Sequence, residues 1–313
     1  MSSEMPGDQG RSGPRRVSPD DLLVFLAVAQ TGRFTSAAER LGINHTTVSR
    51  RITALERAAG GKVLAKSEGG WETTDLGNEL LAAAETVEAA LAKLNTERGG
   101  THALSGVIRM ITPDAFGGLI VGAAMAQLRT RHPGLQVEMI NVARRAQQHR
   151  VGVDLEVVVG KPEVHRAQAF HLADYRLGLY AAHSLLERDG RPRVLADLSQ
   201  YPLIYFIDSM LDVDDLDLAR SITPSMRQNI GATNVFVHLE TARAGAGVAI
   251  LPCYLANRYP DLTRLFPRDV DHNVSYWMVA RPEALRRPVV AEFVRAVAAE
   301  AAARRGEMGG RTR

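Results

Sequence analysis

The sequence predicts two folding units: an α+β winged helix-turn-helix that runs into a long linker helix, and behind it an α/β unit of two small lobes. Three observations carry the prediction. Short capped helices separated by glycines crowd residues 18 to 60, a heptad-like apolar seam follows from Leu76, and beyond "RGGTHALSG" short β-rich runs alternate with helices. At 313 residues the chain has room for about two or three domains, and 45% hydrophobic residues suffice for their cores.

The first helix starts with Ser18 as N-cap, Pro19 at the first helical position and Asp20 and Asp21 in the first turn, where acids suit the helix dipole. Leu22, Phe25, Leu26 and Ala29 recur at helical spacing until Gly32. Ser36 with Glu39 reads as a capping box for a second helix over Ala37 to Leu41, broken by Gly42. Asn44 caps a third. Stepping about 100° per residue aligns Val48, Ile52 and Leu55 on one stripe. Thr46, Arg50, Thr53 and Arg57 fall opposite, Thr47 and Ser49 flank them, and Arg51 lies nearer the core edge. "GGKVLAKSEGGWETTDLG" then reads as a strand, a Gly69–Gly70 tip and a return strand over Trp71 to Thr73, which makes a wing.

Two helices joined by a Gly-containing turn, the second rich in polar residues at its start, form a helix-turn-helix. Singly, each exposed Thr, Arg or His reads equally well as a solvated face. The ordered set of capped helix, tight turn, striped helix and wing within about 60 residues points to DNA binding. Candidate contacts are Ser36, Asn44, His45, Thr46, Thr47, Ser49, Arg50, Arg51 and Lys66. Thr46, Thr47, Ser49 and Arg50 are expected in the major groove, with Arg51 and Lys66 on phosphates. Bulk charge adds little: residues 1–76 hold ten Lys+Arg against nine Asp+Glu, and the whole chain carries only +3. Leu80, Ala84, Val87, Leu91 and Leu94 recur at spacings of four and three, a seam for a second copy or for an intramolecular core stripe.

Beyond the hinge, Val107–Ile111, Leu135–Val142, Leu155–Val159, Leu177–Ala182, Leu203–Ile207, Val248–Leu251 and Val274–Ala280 read as strands, with helices at Leu119–Arg131 and Val289–Ala303. Ligands in such sheets sit beyond strand carboxyl ends, near helix N-termini. Thr112 and Asp114, and separately Thr233 and Asn234, meet that description, although each is first a helix start. Tyr205, Phe206 and Asp208 come just after another strand and point to the same cleft. "GAGVAI" from Gly245 has the letters of a dinucleotide loop but leads from helix to strand, the reverse of what pyrophosphate needs. His183–Ser184 lacks a nucleophile elbow. Arg144, Arg145, His149 and Arg150 read as an exposed charge run.

Cys253 is the single cysteine, so an intramolecular disulfide and a multi-cysteine zinc site are excluded; it reads as a buried structural thiol ahead of a redox sensor. No metal site, cofactor or catalytic residue is expected. With neither a signal-like start nor an 18-residue apolar run, the expectation is a cytoplasmic protein without membrane contact. Residues 281–313 hold eight Arg against four Glu, read as ending in a frayed basic tail.

The stretches "LLVFLAVAQTGRFTSAAERLGINHTTVSRRITALERAAGGKVLAK", "WETTDLGNELL", "VDLEVVVG", "ARAGAGVAILPCYLA" and "YWMVARPEALRRPVVAEF" resemble LysR-type transcriptional regulators over about residues 19–303. The resemblance implies a winged helix-turn-helix, a dimerising linker helix and a two-lobed effector domain akin to periplasmic binding proteins. It also implies a homodimer or homotetramer on an interrupted palindromic operator of double-stranded DNA, and a small-molecule effector in the cleft. By position, Thr112, Asp114 and Phe116 fall on one cleft wall and Tyr205, Phe206 and Asn234 on the other. Hydroxyls and helix N-termini favour a carboxylate-bearing effector, whereas Asp114 and Asp208 pull the other way. The expected division is a tail (1–17), DNA-binding domain (18–76), linker helix (77–98), hinge (99–106), effector domain (107–303) and basic tail (304–313). Within the effector domain, lobe 1 is expected at about 107–176 and 281–303 and lobe 2 at about 177–280. Where the family carries Leu-Phe-x-Arg before the wing, this chain has Val63, Leu64, Ala65 and Lys66, and "NVARRAQQHRVGVD" is short for a full helix. The competing class is an α/β ligand-binding or catalytic protein that uses its N-terminal helices only to oligomerise.

Overall fold

The computed structural model describes residues 16–67, 70–96, 103–141, 153–164, 167–207, 216 and 226–310, with backbone only for residue 89 and for 92–96. Gly69, Asp208, the charge run at 144–150, most of the 141–154 stretch and part of the hinge lie outside the described residues. The chain divides into two compact units, Met1–Arg98 and Gly99–Arg313.

In the first unit α1 (Pro19–Thr31) starts from an extended Ser18 with Pro19 in its first turn, as expected, but the Ser18 hydroxyl makes no cap hydrogen bond. Gly32 ends it in the left-handed region, φ 67°, with its N–H on the Val28 carbonyl. The capping box at Ser36 does not form. Helix α2 (Phe34–Leu41) starts two residues earlier from an extended Arg33, and Ser36 lies inside its first turn. The start is set by Phe34, whose ring packs edge-on against Trp71 at 5.0 Å. Helix α3 (His45–Ala59) is capped by Asn44, whose side-chain oxygen accepts from Thr47 N at 2.7 Å. Val48, Ile52 and Leu55 are buried, as are Phe25 and Val28 of α1, the helix that packs on α3.

Strands β1 (Leu64–Ser67) and β2 (Gly70–Thr73) pair antiparallel as the wing. Its tip end is pinned to the α1–α2 turn by Trp71 N on the Gly32 carbonyl at 2.8 Å. A Cβ on Gly70 would lie 2.5 Å from that carbonyl oxygen, and φ there is +129°, so only glycine fits. Helix α4 (Asp75–Thr96) buries Gly77, Leu81, Ala84 and Glu85, while Leu80 and Val87 are half-buried and Leu91 is exposed. The heptad seam is therefore graded: Ala84 is fully buried, Leu80 and Val87 partly, and Leu91 is exposed, while the Leu94 side chain lies outside the described residues.

The second unit is built on one nine-stranded sheet, in the order β4-β3-β5-β11-β6-β9-β7-β8 with β10 also on β6. Its strands are β3 (Gly106–Thr112), β4 (Leu135–Asn141), β5 (Leu155–Val159), β6 (Gln168–Ala182), β7 (Pro202–Phe206), β8 (Arg227–Ala232), β9 (Val248–Pro252), β10 (Leu262–Leu265) and β11 (His272–Ala280). Parallel pairing of β3 with β4 and β5 marks one lobe, and of β7 with β8 and β9 the other. The long antiparallel pair β6–β11 runs through both, with a bulge between Tyr276 and Trp277.

Helix α5 (Asp114–Phe116) leads through a π-helical turn (Gly117–Val121) into α6 (Gly122–Arg131). Then come α7 (His183–Asp189), α8 (Val235–Arg243), α9 (Cys253–Ala256), α10 (Pro282–Leu285) and α11 (Pro288–Ala303). Arg287 at the start of α11 is clamped by buried Asp154 at 2.6 Å and donates to the Val107 carbonyl, while Asp154 also accepts from Arg109 N. Residues 304–310 do not fray: α12 (Arg305–Met308) buries Met308 completely, because a methionine closes the polar run and Arg304 bonds back to Glu300.

Candidate functional site

These elements build two surfaces, one in each unit. On α3 the exposed polar side chains are His45, Thr46, Ser49, Arg50, Thr53 and Arg57, opposite the buried stripe. Thr47 is half-buried, and its backbone N–H is spent on the cap. The Asn44 oxygen also accepts from the Thr46 hydroxyl at 2.8 Å, which leaves Asn44 its amide N–H groups as outward donors. Arg51 is not a free cation: its guanidinium pairs with Asp21 at 3.2 Å and Asp20 at 3.4 Å. The acids that start α1 thus tie it to α3 through Arg51, the residue expected on phosphates. Lys66 is exposed on β1, across the strand pair from Trp71.

Between α3 and the wing lies an open groove of about 470 Å³ lined by Arg33, Thr35, His45, Ser49, Thr53, Lys62 and Trp71, among others. Arg33 and Thr35 are not among the contacts that the sequence predicts. The signal for both is the start of α2, whose unpaired first-turn amides favour anions; a start placed at Ser36 hides it. Lys62 is four-fifths exposed, with Glu56 at 2.7 Å. Hydroxyls, an imidazole and guanidinium groups on a groove edge suit base edges and phosphates together.

In the second unit the cleft between the lobes holds only about 30 Å³ of free space. Its walls are Pro113, Asp114, Ala115, Val159, Tyr175, Leu177, Tyr205, Phe206, Leu216, Val235, Ile250, Pro252 and Tyr276. Of the six expected residues, Asp114, Tyr205 and Phe206 are on this wall. Thr112 is fully buried behind it, its hydroxyl donating to the Pro113 carbonyl at 3.3 Å. Phe116 is fully buried in the second row, its ring 4.8 Å from Tyr276. Asn234 caps α8 and accepts from Phe236 N and Val237 N, so its oxygen is spent on the helix. Tyr175, Tyr276, Leu177 and Ile250 escape sequence reasoning because they are interior strand residues with no local motif.

Asp114 reaches across the cleft to Val235 N at 3.4 Å. Burial pushes its carboxyl above the ordinary value, and the Val235 N–H partly opposes this. With Asn234 on the next two amides, the N-terminus of α8 is filled by the protein's own oxygens. The helix start expected to receive a ligand carboxylate is therefore occupied. Tyr175 and Tyr276 stack at 4.2 Å, the Tyr276 and Tyr254 hydroxyls are 3.0 Å apart, and Tyr205 donates to the Leu216 carbonyl. Behind Phe206, 4.7 Å ring to ring, sits fully buried His238, with Nε2 on the Ala232 carbonyl and Nδ1 without a partner among the described residues. Burial depresses its basicity. Cys253 is buried, and burial raises its thiol, as a structural cysteine requires.

A winged helix-turn-helix joined to a separate α/β unit with a cleft at its lobe junction defines a helix-turn-helix protein with a substrate-binding-type domain. Family models match both parts: the bacterial regulatory helix-turn-helix protein, lysR family, over residues 19–78, and the LysR substrate binding domain over residues 101–302. The chain belongs to the LysR family. It is 28% identical over 187 residues to the HTH-type transcriptional regulator DmlR of Escherichia coli, covering 59% of this chain and 61% of that protein. With the HTH-type transcriptional repressor PA14_22550 of Pseudomonas aeruginosa it shares 26% identity over 181 residues, 58% of this chain and 57% of that one. The chain thus spans about three fifths of the length of these curated relatives. Among solved structures, ArgP from Mycobacterium tuberculosis superposes with a TM-score of 0.67 at 19% identity, covering 90% of this chain and 96% of that one, a likeness of fold.

Proposed function

We propose that this protein is a sequence-specific DNA-binding transcription regulator whose activity is modulated by a small molecule held between the two α/β lobes. The observation that supports it most is the outward face of α3, where His45, Thr46, Ser49 and Arg50 stand exposed beside the groove between that helix and the wing. In this reading Thr46, Ser49 and Arg50 enter the major groove, Thr47 contributes from the flank, and Lys66 with Arg33 tracks phosphates. A second copy packs along Leu80, Val87 and Leu91 of α4, and the homodimer or homotetramer meets an interrupted palindrome. The chain acts in the cytoplasm and catalyses no reaction; no helix among the described residues is long and apolar enough to cross a membrane.

A mobility-shift titration with the DNA upstream of its own gene tests the reading. Specific retardation at physiological salt, with a footprint of two half-sites, is expected. Equal affinity for unrelated DNA would overturn it and favour the oligomerisation role for the N-terminal helices.

A further inference from the structure

The cleft, taken as the effector site on the reading proposed above, carries an electrostatic signature that narrows its ligand. Its thirteen wall residues include one formally charged side chain, Asp114, and no Arg, Lys or His. Asp114 is nine-tenths buried, and only its Oδ2 is engaged, by the long contact to Val235 N. Oδ1 accepts no hydrogen bond from the described residues. Around it stand the rings of Tyr175, Tyr205, Phe206 and Tyr276. The rest of the wall is aliphatic.

A ligand carboxylate here would face Asp114 across a few ångströms with no counter-cation on the wall, and the α8 amides that favour an anion are already filled. The carboxylate-bearing effector favoured by hydroxyls and helix starts has no place to put its charge. A cation meets the opposite situation. It supplies the missing partner to a buried carboxylate, and aromatic faces attract ammonium groups within about 6 Å. The raised proton affinity of Asp114 is the same uncompensated charge, seen from the carboxyl's side.

We propose that the cleft selects a small ligand with a protonated amine and a compact apolar body, with Oδ1 of Asp114 as the acceptor of the ammonium and the aromatic rings as its surround. The free space of about 30 Å³ requires the lobes to part on entry, which lengthens the Asp114–Val235 contact.

The test uses the full-length protein with selectively labelled isoleucine methyl groups, because Ile250 lies in the cleft wall and reports occupancy. The probes are 2-phenylethylammonium and n-butylammonium, their matched acids 3-phenylpropanoate and pentanoate, and the corresponding alcohols. The expected result is a saturable shift of the Ile250 methyl with the ammonium ions and none with the acids. Asp114→Asn, nearly isosteric, should weaken ammonium binding roughly tenfold or more. Saturable shifts with the acids alone would overturn the cation assignment and leave the cleft as an effector site. Ammonium binding unchanged in Asp114→Asn would overturn the role of that carboxylate. No shift with any of the six probes would overturn the assignment too. DNA affinity, measured separately without ligand, tests the regulator reading independently of all three outcomes.

Discussion

Arg50 and Arg51 are adjacent, chemically identical and differently committed. Arg50 projects from the exposed face of α3, whereas Arg51 bridges to Asp20 and Asp21 of α1. Arg50→Ala should cost about 1–3 kcal/mol on the specific site and relax preference at one position. Arg51→Ala should instead lower the melting temperature slightly, since a partly exposed ion pair contributes less than about 1 kcal/mol. Affinities on specific and random DNA, with thermal denaturation of both variants, separate the two; equal loss of affinity would put Arg51 back on the DNA. His238 gives a second prediction at this scale. Its basicity is depressed by burial behind Phe206, so the unfolded chain binds its proton more readily than the folded one. Stability from the neutral imidazole is complete above the unfolded value, about 6.5, and is lost as pH falls below it toward the depressed folded value. The second unit should therefore melt lower at pH 5 than at pH 7.5, and His238→Gln should flatten that slope. An unchanged slope would mean that His238 stays neutral for no energetic reason of its own.

At the scale of elements, the close approaches mark where one side chain too many would act. In the first turn of α4, a Cβ on Gly77 would lie 2.1 Å from the Val63 carbonyl oxygen, so the helix rests directly on the backbone that leads into the wing. Gly77→Ala should shift α4 off that backbone and cost roughly 1–3 kcal/mol, as overpacking does. Circular dichroism and DNA titration should both register it, and wild-type stability would contradict the contact. Contacts of this kind also decide which elements are legible in the sequence. Helices α1 and α3 are legible because caps, stop glycines and apolar stripes are local. The start of α2 is not, because Phe34 packs on Trp71 37 positions later, and that outweighs the Ser36–Glu39 pattern. Strand β8 escapes because Arg227–Ala232 is half polar and mostly exposed and pairs on one side only, and β10 because four residues carry no period. On the cleft wall, Asp114, Tyr205 and Phe206 lie at strand ends and can be found. Tyr175 and Tyr276 cannot, since only the β6–β11 pairing brings them together.

At the scale of the whole molecule, the two units have separate cores and should report separately on damage. The first is small, and roughly 1 kcal/mol moves the melting point of a domain of that size by about 4–8 °C; for the larger second unit the same loss moves it by about 2–4 °C. Gly77→Ala acts in the first unit. Asp154→Ala acts in the second, where it breaks the buried ion pair with Arg287 and removes an acceptor from Arg109 N. Breaking a buried pair from one side costs about 3–5 kcal/mol. Calorimetry of the full-length protein should therefore resolve two transitions, with Gly77→Ala lowering one and Asp154→Ala the other. A cleft ligand should raise the transition that Asp154→Ala lowers. If it also raises the affinity of the first unit for DNA by some factor, DNA must raise the affinity of the cleft for the ligand by that same factor. Titrating the ligand with and without operator DNA checks this equality. A single transition lowered by both substitutions would mean that the cores are coupled already, and a ligand affinity indifferent to DNA would leave the cleft without a regulatory output.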